Sequence, residues 1–252
     1  MKKSTAIIVA GIALVGLLAT TGCVRVPLSE NPGGRPANRV TVDTSSYELN
    51  GAQKLVGNVR MGVGELWLAG SKSTSGTVSA RFEYAPVSWK PVVAFASDGA
   101  EATFSAEQPE SQSVNLGRSV RNSWTMKFPS GVATDLSMKL GVGESTIDLR
   151  EIDVRDLVVL TGVGSTKIDL SGTRTSDITA RIECGVGETE IRVPSDIGVR
   201  ITGSKDGLGD ISTPGFSAEG DDLVNAAYSG AGPKIEIQLT RGVGEVRVIQ
   251  VP

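Results

Sequence analysis

Histidine is absent from this 252-residue chain, cysteine occurs twice, and only 4% of its residues are aromatic. Without histidine, neither a Ser-His-Asp nor a Cys-His nucleophile can be assembled, and the usual His-containing zinc sites are excluded. The two cysteines, Cys23 and Cys184, are too few for a disulfide framework. No long amphipathic helical pattern runs through the chain, so an all-β architecture is expected. A concentrated basic surface is lacking too, since 25 basic residues face 28 acidic ones, which disfavours nucleic acid as a partner.

Glycine, by contrast, is plentiful, and it recurs in one phrase. Gly62-Val63-Gly64-Glu65, Gly141-Val142-Gly143-Glu144, Gly185-Val186-Gly187-Glu188 and Gly242-Val243-Gly244-Glu245 are joined by the variants Gly162-Val163-Gly164-Ser165 and Gly207-Leu208-Gly209-Asp210. From Gly141 through Gly162 and Gly185 to Gly207 the spacings are 21, 23 and 22 residues, a near-constant period that signals stacked repeats. Alternating apolar residues flank each glycine pair: Leu136, Met138 and Leu140 before one copy, Ile147 and Leu149 after it. Such alternation marks strands with one buried face. A glycine corner suits a tight bend where positive φ and close backbone approach are both required. The central valine of each phrase is expected to point inward. One coil cannot cover its own apolar face, so coils of about 22 residues stack at roughly 4.8 Å, giving a β-solenoid. Cys184 falls in the inward column with Leu140 and Thr161 and reads as a small core residue.

Lys2 and Lys3 precede an apolar run from Ala6 to Leu18, followed by Ala19-Thr20-Thr21-Gly22-Cys23. This layout resembles a bacterial lipoprotein signal, which implies cleavage after residue 22 and lipid attachment at Cys23. Cleavage leaves 23 basic and 28 acidic residues and a net charge near −5. Residues 23–40, with Pro27, Pro32, Gly33, Gly34 and Pro36, have no periodicity and read as the lipidated cysteine and a flexible tether. Residues 41–130 hold most of the aromatics and a hairpin signal, Asp98-Gly99, between two apolar runs. They form an expected amino-terminal antiparallel module ahead of a solenoid over 131–252.

Phe82-Glu83-Tyr84, Trp89-Lys90-Pro91, Asn115-Leu116-Gly117-Arg118, Arg121-Asn122-Ser123-Trp124 and the glycine repeats together resemble the bacterial toast-rack family. The carboxy-terminal part is similar to LiaF-like cell-envelope stress proteins and to β-helix adhesins. The resemblance implies an envelope or surface β-solenoid without catalytic residues, so no catalytic site and no cofactor are assigned.

Three further features bear on function. The carboxylates after the glycines, Glu65, Glu144, Glu188, Asp210 and Glu245, read as a solvated edge, with a hard-cation site through Glu65, Glu144, Glu188 and Glu245 as the alternative. Arg118, Arg121 and Trp124 are the candidate contact for a sugar, an anionic polymer or a headgroup. The strand Glu245–Val251 has no polar cap after it, so it is expected either to pack under another segment or to add a strand from a partner. The function favoured is a lipid-anchored, non-enzymatic envelope protein with a protein or envelope-polymer partner. A carboxylate-dependent enzyme or binding module acting on envelope polysaccharide is the alternative.

Overall fold

A computed structural model describes residues 39–71, 76–110, 120–203 and 208–252. The export segment, Cys23, most of the tether and Arg118 lie outside these residues. The described chain is built almost wholly from β-strands, linked in an open sheet.

Three long strands form the spine: β2 (Lys54–Ser71), β7 (Ala133–Asp148) and β8 (Val154–Asp169). They run parallel and in register, so that Met61, Leu140 and Thr161 align before the glycines and Leu68, Ile147 and Ile168 after them. Beyond β8 the two halves of a coil become separate strands, β9 (Ile178–Glu183) and β10 (Val186–Pro194). Inward columns such as Val59, Met138, Val159, Ile182 and Leu239 are almost fully buried. Each such side chain contributes about 1.5–3 kcal/mol.

The amino-terminal module closes one end of the stack. β1 (Thr41–Glu48), β3 (Thr77–Ala85) and β6 (Arg121–Pro129) pair antiparallel, and β6 joins the second half of β2 in parallel. β4 (Val92–Ser97) and β5 (Glu101–Glu107) form the hairpin signalled by Asp98-Gly99, and β5 joins the first half of β2. Asp98 stabilises that turn by accepting the Ala100 and Glu101 N–H groups, which also holds its carboxyl below the ordinary range. The aromatics fill the space under these strands: Phe82 meets Trp124 edge-on at 5.3 Å, and Phe104 meets Phe128 at 5.8 Å.

The far end departs from simple sequential stacking. After β10 come β11 (Gly198–Thr202), β12 (Asp210–Ser212), the hairpin β13 (Phe216–Glu219) and β14 (Asp222–Asn225), then β15 (Lys234–Thr240) and β16 (Val243–Val251). β15 lies between β9 and β11, and β16 lies between β10 and β12. The coil carrying Gly242 is thus inserted between the coils carrying Gly185 and Gly209. Of the two fates open to the Glu245–Val251 strand, it takes the first and packs beneath another segment. β12 covers its Glu245–Arg247 portion.

The corner itself corrects one expectation. The central valines point outward: Val63, Val142, Val163, Val186 and Val243 are 43–54% exposed. Inward positions are even-numbered in β7 up to Leu140 and odd-numbered from Ser145 onward. The parity changes because the chain bends at the phrase and its second glycine takes positive φ, +144° at Gly143. The valine sits on the convex side of that bend. Its inward role passes to Ser145, Thr166 and Thr189, a buried hydroxyl column between Leu66 and Val246. Cys184 is only partly buried, although it packs on the core and burial pushes its thiol pKa up.

Candidate interaction surface

The glycines make a continuous exposed edge possible. A Cβ added to Gly143 would collide with the carbonyl of Gly64, one on Gly164 with Gly143, one on Gly187 with Gly164, and one on Gly244 with Gly187. Neighbouring coils therefore meet backbone on backbone at the corner, and the valines line up in the register Val63, Val142, Val163, Val186, Val243. At one strand spacing per step, this apolar row is roughly 20 Å long. Leu208, 91% exposed, precedes Asp210 as Val243 precedes Glu245, and so continues the pattern.

Two residues along each coil runs a second row. Glu65 pairs with Glu144, which pairs with Ser165, then Glu188, Glu245 and Asp210. The carboxylates are exposed and strung along one edge. Among the described residues, no group of three acidic, cysteine or histidine side chains could hold a metal ion. Arg121 terminates the row at the amino-terminal end, 3.2 Å from Glu65 and 3.5 Å from Glu83.

The Arg121–Trp124 cluster does not exist as a surface. Residues three apart on a strand face opposite sides. Arg121 points to solvent, whereas Trp124 is fully buried and donates its indole N–H to Asn122 Oδ1 at 2.7 Å. The tryptophan that does reach the surface is Trp67, 40% exposed between Thr125 and Thr146. Its outward position follows from its place midway between Leu66 and Leu68, both inward.

Two polar side chains outside the repeat support this edge. Gln108 Oε1 accepts from the Gly62 and Val63 N–H groups at 2.9 and 3.0 Å, and from Asn122 Nδ2 at 3.0 Å. Farther along, Val243 N–H donates instead to the Gly185 carbonyl of the neighbouring coil. Gln108 therefore supplies to the first corner what a preceding coil would otherwise supply. On the opposite side of the coils, buried Arg174 donates to the carbonyls of Ile152, Leu149 and Leu170 at 2.7, 3.0 and 3.2 Å. Burial lowers its pKa, while Asp153 and Asp169 oppose that shift.

A parallel all-β stack with an aromatic end module and an exposed apolar-acidic corner defines a repeat protein whose distinctive chemistry lies on its surface. The family model described as the N-terminal domain of toast_rack matches residues 36–192, and the chain belongs to the toast-rack family. The crystal structure of a candidate cell adhesion protein from Clostridium sporogenes is similar to it, with 30% identity and a TM-score of 0.75. That match covers 84% of this chain and all of the other. A candidate adhesin from Bacteroides fragilis matches over 86% of this chain and all of its own, at 15% identity and a TM-score of 0.31, too low to carry an argument. No curated protein matches.

Proposed function

We propose that the protein is a non-enzymatic, lipid-anchored envelope protein that uses its glycine corner as an adhesion-type contact surface. The observation that carries this reading is the in-register row of half-exposed valines beside a row of carboxylates. Exposed apolar side chains in a contiguous row mark contact surfaces, and the flanking acids select a partner presenting apolar and basic groups together. The candidate role of the Clostridium sporogenes protein in cell adhesion supports the same reading. Among the described residues no helix is long and apolar enough to cross a membrane. In this reading Cys23 carries the lipid, residues 23–40 act as a tether, and the strands of residues 41–130 other than β2 cap a solenoid that begins at β2 and continues over 131–252.

The test uses Val142→Ser, Val163→Ser and Val186→Ser together, substitutions on exposed side chains that leave the core intact. Beads coated with the variant should lose attachment to the cell surface on which the unaltered protein is retained, with an unchanged Tm. Full attachment by the variant would reject the corner as the contact. Cys23→Ala separately tests the anchor and should abolish lipid labelling.

A further inference from the structure

A cleft of about 470 Å³ lies where the amino-terminal module overhangs the first glycine corners. This is within the roughly 300–1,000 Å³ range of small-molecule sites. Its lining is mainly apolar and includes Met61, Leu140, Leu160 and Trp89. Arg60 and Lys139, adjacent in the β2–β7 register, also line it.

The cleft carries one carboxylate, Glu110, which is 92% exposed and faces Arg60 at 3.8 Å, and its remaining polar groups without a partner are donors. Trp89 is 3% exposed, and its indole N–H has no hydrogen-bond partner. A buried donor without an acceptor costs free energy that a ligand acceptor would recover. Lys139 has no ion pair among the described residues, whereas Arg60 is held by Glu107 at 3.0 Å and by Glu110 at 3.8 Å. Gln108 Oε1, the neighbouring acceptor, already takes three N–H groups. An indole N–H and an ammonium only donate. The matching ligand therefore brings acceptors with negative charge, and the apolar lining asks for a hydrocarbon portion beside them.

We propose that this cleft binds an anionic amphiphile, with its hydrocarbon chain over Met61, Leu140 and Leu160 and its acidic head at Lys139 and the Trp89 N–H. The headgroup is a carboxylate or phosphate, and the source is either a free fatty acid or a membrane lipid. The site adjoins the adhesion-type contact at Val63, which belongs to both, but its polar groups lie on β7 and the module, and Val142, Val163 and Val186 do not line it.

The experiment follows tryptophan fluorescence in Trp67→Phe protein, titrated with decanoate brominated at its terminal carbon. Saturable quenching is expected. Lys139→Glu should weaken it about five- to tenfold, the scale of one lost charge-assisted hydrogen bond. Leu160→Glu, on a partly exposed side chain, should abolish it without unfolding the protein. Calorimetry on Trp89→Phe, which keeps the aromatic wall and removes the N–H, should show weaker decanoate binding. Flotation of unlipidated protein starting at Val24 with phosphatidylglycerol vesicles assigns the source: vesicle binding lost in Lys139→Glu supports a lipid, and decanoate binding alone supports a free acid. Non-saturable quenching, equal affinity for dodecyltrimethylammonium, or indifference to Lys139→Glu would overturn the proposal.

Discussion

Gln108 stands in for a missing coil: its side-chain oxygen receives the Gly62 N–H at 2.9 Å, at the corner where no preceding glycine phrase exists. Removing it leaves the Gly62 and Val63 N–H groups without that acceptor. Gln108→Ala should lower the stability of the stack by about 1–3 kcal/mol, the cost of orphaned donors. Urea unfolding measures it, and a loss confined to a few tenths would show that water replaces the amide freely.

Glycine at the corner answers to two demands, and two substitutions separate them. Gly99 has φ +87° with nothing near a built Cβ, so Gly99→Ala bears only the left-handed penalty of about 1–2 kcal/mol. Gly143 has φ +144° and also abuts the Gly64 backbone. Gly143→Ala should cost more than about 4 kcal/mol or prevent folding. Comparable Tm values for the two variants would refute backbone contact as the reason for the repeat.

Arg174 binds three carbonyls of successive turns from a buried position. Arg174→Met keeps much of its volume and strands those acceptors, with an expected loss of about 2–4 kcal/mol. Thermal melting of Arg174→Lys should show partial rescue at best, because one ammonium cannot reproduce the guanidinium fork.

Asp148 and Asp169 are neighbours in the β7–β8 register, and Arg150 reaches both, at 2.6 and 3.6 Å. The Arg150 hydrogen bond holds the Asp148 carboxyl below its ordinary range. A depressed folded pKa stabilises the protein above the unfolded value and loses that contribution as pH falls through the folded one. Since Arg150 is largely exposed, Arg150→Ala should cost only about 0.5–1 kcal/mol at neutral pH. In strong acid the variant and the parent should converge, which urea midpoints across pH will show.

The glycine repeat was readable because it is a backbone requirement written in residue type, and the alternation around it placed Met138, Ile147 and Ile168 correctly in the core. Simple alternation puts the valine inward because it does not register a change of parity at a bend. Nearness in sequence joins Trp124 to Arg121, although an odd separation on a strand divides them between faces. Gln108 and Arg174 carry no repeat signal, and only the folded register shows which N–H and C=O groups they serve. The period likewise carries no order for the glycine phrases, since every slot in the stack accepts the same pattern.

That order has a consequence for how the molecule comes together. In a chain formed only through β14, no ladder joins the far end to the stack, because β12 pairs only with β16 and β11 reaches β9 only through β15. β11 to β14 therefore wait apart until β15 docks on β9 and β16 docks on β10. Maturation of the far end thus becomes a late, long-range event, and a chain lacking residues 234–251 would present two complementary sticky edges to any strand nearby.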